Sequence, residues 1–409
     1  MKTQNLIYFK VLILFMILFN TNSFAQWPQW RGPMRDANSG EQNLLREWPE
    51  NGPRLLWKVD NMGDGFSSTT IQDNMVFTLG KTDSIEILTA LDLTGNIKWQ
   101  KEAGRASKDK DWPQSRSTPT IYKDKVYAVT VYGDIACFDS KTGKLEWKVP
   151  AAETSESYFY NKSQQGIAES PLFVDDKLII TPCGKQTTMV ALNRLTGEII
   201  WKSESLGDTA FFTSPVLFPA SNKKTIFTST LNYDILVDSE NGKIIWKDQH
   251  ISGMIPLVYK SSVYFGGEYR KGGTLCAWNN QKQAFEVVWK DTINANIIGG
   301  PVLCRGKIIV SGNSKSIYCI DPETGNTLSQ FNNINYCNFI VAEDMIYCLE
   351  DRTNNLFLFK LNNDQLEKVS SFKISKGNGP SIAHMSISNG MLFVRHGKSL
   401  MAYDIRQSI

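Results

Sequence analysis

The chain has 409 residues but only three histidines, His250, His384 and His396, and they lie far apart. None has the spacing of metal ligands, so no histidine metal centre is expected. Seven cysteines are present, an odd number, and no two are adjacent. That dispersion argues against a disulfide framework. Cys337 and Cys348 fall on two expected strands of one hairpin, and pair only if the register allows it. No long basic run occurs, and 44 Lys plus Arg stand against 41 Asp plus Glu, so a nucleic-acid partner is not expected. There is no Walker-type glycine loop and no G-x-S-x-G elbow. The apolar run VLILFMILF (11–19) is far short of the ~20 residues a membrane span needs. Helical periodicity of useful length is missing after it.

What is present begins with that run. Lys2 and Lys10 flank its start, and NTNSFA (20–25) follows with Ser23 and Ala25 at small-residue positions. This is the pattern of a secretory signal peptide, residues 1–25, cut after Ala25. The expected location is therefore the periplasm or the cell exterior, with no transmembrane segment in the mature chain. No cysteine follows the apolar core, so no lipid anchor is expected.

The rest of the chain repeats. LDLTGNIKW (91–99) returns as FDSKTGKLEW (138–147), LNRLTGEIIW (192–201) and VDSENGKIIW (237–246). The closing aromatics are Trp57, Trp99, Trp147, Trp201, Trp246, Trp289, Phe331 and Phe372, at intervals of 42, 48, 54, 45, 43, 42 and 41 residues. Periods of this size signal a radial or stacked array. Each unit resolves into four short strands bounded by Gly and Asp, as in STPTIY (117–122), KVYAVTVY (125–132), IACFD (135–139) and KLEWKV (144–149). Four antiparallel strands repeated radially make a β-propeller blade. The last unit ends in SLMAYDIRQSI without a fourth strand, whereas RLLWKV (54–59) is a fourth strand without the other three. The predicted fold is all-β: an eight-bladed β-propeller of four-stranded antiparallel blades, residues 54–409, whose last blade is closed by the N-terminal strand. Residues 26–53 form a leader expected to pack along the propeller side.

Within the motif the acid accepts N–H bonds across its own turn, and the glycine supplies a positive φ. The tryptophan covers the seam to a neighbouring blade. Trp57, Trp99, Trp147, Trp201, Trp246 and Trp289 are accordingly assigned to structure and not to a ligand.

The pattern A-x-D-x-x-T-G-x-x-x-W, seen as ALDLTGNIKW (90–99) and ALNRLTGEIIW (191–201), resembles the pyrroloquinoline quinone (PQQ) repeat. It is similar to the tryptophan-docking motif of the quinoprotein alcohol dehydrogenase-like superfamily, which has a cofactor-free, BamB-like branch. The opening WPQWRGPMRD (27–36) is similar to the leader of exported PQQ-like repeat proteins. Dehydrogenases of this resemblance carry adjacent cysteines under the quinone, a calcium ion and a catalytic aspartate. No Cys-Cys pair exists here, and the chain lacks their long insertions. Neither PQQ nor Ca²⁺ is therefore expected, nor any catalytic or metal-binding residue. The reading is a non-catalytic, monomeric scaffold of the cell envelope that binds a protein, with a glycan as the second candidate. The rival is a PQQ-dependent dehydrogenase-like or other propeller enzyme.

Two loops between blades are long: KEAGRASKDKDWPQSRS (101–117) and VPAAETSESYFYNKSQQGIAE (149–169). Consecutive in sequence, they should stand side by side on the face opposite the Thr-Gly turns. Long loops on rigid scaffolds carry function, and Trp, Tyr and Arg anchor binding surfaces. The predicted contacts are Trp112, Arg116, Tyr158 and Tyr160, with Tyr269 and Arg270 further off. Loops that merely plug the channel are the bland alternative.

Overall fold

The computed structural model describes residues 26–108, 114–150, 166–220, 223–249, 255–266, 272–293, 299–312, 315–375, 377, 379 and 381–407. The signal-peptide assignment lies outside them. Among the described residues there is no helix, and the strands form eight antiparallel sheets arranged as the blades of a propeller. Blade 1 runs from the axis outward as Thr70–Gln72, Met75–Thr82, Ile85–Asp92 and Ile97–Arg105. Blades 2 to 7 begin at Thr120, Leu172, Val216, Pro256, Val302 and Cys337. Blade 8 has Ser386–Ser388, Met391–His396 and Ser399–Asp404, and Arg54–Val59 completes it. Arg54 pairs with Asp404, Trp57 with Ala402 and Val59 with Leu400, antiparallel. Both chain ends thus share one sheet, which removes the free edge of an open array.

Every blade has a register shift between its third and fourth strands, and blade 1 has a second one at Glu86/Ile87. The shift falls beside the closing tryptophan in the six blades that end in one, and three residues before the closing Phe331 and Phe372 in blades 6 and 7. A bulge there increases local twist and re-aims the following side chain. The re-aimed ring reaches the next blade's turn. Trp57 Nε1 donates to Leu93 O (2.7 Å), Trp99 to Ser140 O (3.1 Å), Trp147 to Arg194 O (2.9 Å), Trp201 to Ser239 O (3.1 Å) and Trp289 to Pro322 O (2.9 Å). The turn glycine lies flat under that ring: a methyl group at Gly95 would stand 2.8 Å from Trp57, and one at Gly143 2.6 Å from Trp99. Glycine is thus required twice, for its positive φ and for the close approach. Blade 5 has Asn280–Gln283 in place of Thr-Gly, and there Trp246 packs edge-on against Phe285 at 4.8 Å. At the closure Gly52 plays the same part, since a methyl group on it would meet the Phe372 ring at 2.4 Å.

Two details, the inner strand of blade 2 and the course of the leader, differ from the sequence reading, and the register answers the question it left open about Cys337 and Cys348. The inner strand of blade 2 is only Thr120–Tyr122, because Pro119 has no N–H to offer and Thr118 turns instead to the next blade. Cys337 pairs across the hairpin with Glu350, and Cys348 with Phe339, so the two cysteines are offset; all seven are free and buried. The leader does not run along the side of the ring. It crosses the inner strands on the face that carries the Thr-Gly turns. Trp27 exchanges two backbone bonds with Ile71 of blade 1, and Pro28 O accepts from Ile121 N of blade 2. Asn38–Ser39 adds a fifth, parallel strand to blade 7. Glu41 accepts the N–H groups of Asn389 (2.7 Å) and Gly390 (2.9 Å) in blade 8.

Candidate functional site

The axis is lined by residues just ahead of the inner strands. Ser68 N donates to Thr118 Oγ1 (3.1 Å), Thr118 N to Ser170 Oγ (3.0 Å) and Ser170 N to Ser214 Oγ (2.9 Å), linking blades 1 to 4. These N–H groups cannot bond inside a sheet, so neighbouring hydroxyls satisfy them. Into this girdle the leader sends two arginines. Arg31 donates to Pro301 O (2.5 Å) and Gly299 O (3.3 Å). Arg35 donates to Pro215 O (2.8 Å), to Ser170 O (3.1 Å) and to Pro171 O. Trp30 lies edge-on to His384 at 5.4 Å, with the Arg31 guanidinium 5.6 Å from its ring. Loss of water on burial pushes the Arg31 guanidinium down to about 10, against Asp36, and that of Arg35 down to about 9, against Glu169. Both remain cations at neutral pH. The sequence reading missed them; two arginines flanking Gly-Pro in WRGPMRD were the available signal.

The opposite face holds the described ends of the first predicted contact loop. Arg105, at the start of the first loop, grips Asp134 of blade 2 through Nε (3.0 Å) and Nη2 (2.8 Å). At its far end Ser115 donates to Glu86 Oε2 (2.6 Å), while Glu86 Oε1 accepts from Val131 N (2.9 Å). Burial raises the Glu86 carboxyl to about 7, opposed by those two donors. Arg116 is half-buried with its guanidinium 5.8 Å from the Phe212 ring. The other predicted contacts, Trp112, Tyr158, Tyr160, Tyr269 and Arg270, lie outside the described residues. The structure therefore fixes where the first loop leaves and rejoins the ring.

Among the described residues, charge at the axis comes from the guanidinium groups of Arg31 and Arg35, which repel a divalent cation, and from the acids that oppose them, Asp36 and Glu169. Among the described residues no three His, Cys, Asp or Glu side chains are placed to hold a metal ion. The described axial residues do not fit a calcium-bound quinone, which needs several oxygen ligands around the ion.

Fold and axis together define a class: eight-bladed propellers of PQQ-like repeats, closed by an N-terminal strand. Within it, the chain belongs to the family described as outer membrane protein assembly factor BamB, whose model matches residues 39–248 and 232–342. No curated protein sequence matches the chain. Among solved structures, BamB from Moraxella catarrhalis superposes with a TM-score of 0.63 at 15% identity, covering 87% of this chain and 98% of that one. A europium-containing methanol dehydrogenase gives 0.65 at 12% identity, covering 92% and 90%. The quinohemoprotein alcohol dehydrogenase of Comamonas testosteroni gives 0.54 at 11%, covering 94% and 81%. At these identities the likenesses establish the fold and leave the activity to the site.

Proposed function

We propose that this propeller is an exported, non-catalytic scaffold of the cell envelope that binds a protein partner through the long-loop face. The observation that supports it is the filling of the axis: Trp30, Arg31 and Arg35 occupy the leader side, Trp30 against His384 and the two guanidinium groups donating to backbone carbonyls of the ring. What remains for a partner is the rim of loops, whose first member is clamped at both ends by Arg105 and Glu86. Rigid clamping of a loop base lowers the entropy cost of binding. Family membership agrees with a scaffold, since BamB is an assembly factor by description.

The test is a combined Trp112→Ala, Tyr158→Ala, Tyr160→Ala variant, checked for folding by circular dichroism and used in a cross-linking pull-down from the envelope. The partners captured by the wild type are expected to be lost. Capture of the same partners would move the site off this face. In parallel, protein given PQQ and Ca²⁺ is expected to reduce no dye in an alcohol-oxidation assay; sustained dye reduction would establish the enzyme reading instead.

A further inference from the structure

The leader leaves one part of its own face uncovered. Between its Pro33–Asp36 turn and the inner strands of blades 3 to 5 lies a cleft of about 630 Å³. Its floor is apolar, with Leu217, Phe218, Pro219 and Val258 facing Pro33 and Met34. Met34 is 77% exposed and Leu217 45%, an unusual cost for two large apolar side chains on one cleft. Met34 is also held there on purpose: Arg31 and Arg35 on either side of it adopt left-handed φ values of 59°, kept in place by their buried hydrogen bonds. Strain of that kind persists only where the surroundings over-determine it.

The charged groups of the lining are unequal. Lys223, Lys224 and Arg35 stand against a single acid, Asp36. Lys223 meets Asp238 at 3.2 Å and Lys224 meets Asp175 at 2.5 Å, and an ammonium has three donors, so each retains N–H groups for an anion. The walls offer little to a peptide backbone, because Pro33, Pro219 and Pro256 have no N–H and proline blunts a strand edge. An alkyl chain needs no such donors. The volume is within the range of small-ligand clefts, which pair an apolar body with a few polar groups at one end.

We propose that this cleft binds a single-chain anionic amphiphile, a long-chain fatty acid, with its alkyl chain over Leu217 and Val258 beside Met34 and its carboxylate at Lys223 and Lys224. The site is independent of the long-loop face and stands whether or not that face binds a protein.

Isothermal titration of the purified protein with sodium dodecanoate, below its micelle concentration, tests it. Saturable one-to-one binding is expected, about 15-fold tighter than decanoate, since each buried methylene contributes about fourfold. Leu217→Asp is expected to abolish it. Lys223→Glu with Lys224→Glu is expected to weaken dodecanoate at least tenfold and to favour dodecyltrimethylammonium. These side chains are exposed, and circular dichroism confirms folding of each variant. Absence of saturable binding, equal affinity for both head groups, or binding untouched by Leu217→Asp would overturn the proposal. So would a dimer in sedimentation that Met34→Asp dissociates, which would give the cleft to a second copy of the chain.

Discussion

Single residues show how one motif does two jobs. Asp92 accepts from Thr94 Oγ1 (2.6 Å), Thr94 N (3.0 Å) and Asn96 N (3.0 Å), and Asp139 repeats this with Thr142. The Thr94 hydroxyl leads in bringing Asp92 down to about 2, and the Thr142 hydroxyl does so for Asp139. Such carboxylates bind fewer protons folded than unfolded below pH ~4, so their stabilisation is lost as pH falls from about 4 toward 2. The buried acids act with the opposite sign. Burial raises Glu86 and Glu169 to about 7, so the folded protein holds protons there that the unfolded chain has released above pH ~4.3. Their contribution is fully present below about pH 4 and declines as pH rises to 7. Glu86→Gln is therefore expected to flatten the fall in melting temperature between pH 5 and 7.5 measured by scanning calorimetry; an unchanged slope would remove Glu86 from the account. Trp201 is buried and bonded across the blade seam, so Trp201→Ala should cost ~3–5 kcal/mol in denaturant unfolding. Gly143→Val should also destabilise, through a clash with Trp99 at a φ of 67°. A gain or no change in unfolding free energy would contradict the docking geometry.

At the scale of elements, the leader has more structural weight than its lack of regular structure suggests. It reaches the inner strands of blades 1, 2, 7 and 8 through its backbone or Glu41, and blades 3, 4 and 6 through two guanidinium groups. Arg35→Ala removes the guanidinium donor from the buried carbonyls of Ser170 and Pro215, which are costly to strand, and leaves Pro171 O with the Thr120 hydroxyl alone. A drop of several kcal/mol is expected, with increased protease cutting within 26–53; full retention of both properties would show that the leader is a passenger. Arg54–Val59 is the outer strand of blade 8, and without it the edge of Ser399–Asp404 is open. Deletion of residues 26–59 is expected to give aggregation in light scattering. A soluble deletion variant with an unchanged melting temperature would contradict the closure.

For the whole molecule, what the sequence by itself determined is the repeat and its closure. Turn chemistry and strand alternation are local, and eight aromatics at nearly even spacing allow one radial solution, so the blades and the shared last blade were legible from residues 54–404 alone. Only the tertiary structure decided which turn each tryptophan meets. The motif places Trp99 beside its own Gly95, yet its ring covers Gly143 of the next blade, because the bulge re-aims it across a seam that exists only once the ring has closed. The leader's course was hidden for the same reason. Arg31 and Arg35 look like surface charges in a polar segment, and their partners are backbone carbonyls of residues 135 to 270 positions away. Carbonyl acceptors leave no mark in a sequence, since every residue has one. The cleft beside Met34 has the same origin: Leu217 reads as one more strand residue until the leader's turn stands opposite it and blade 4 opens its inner edge to the axis.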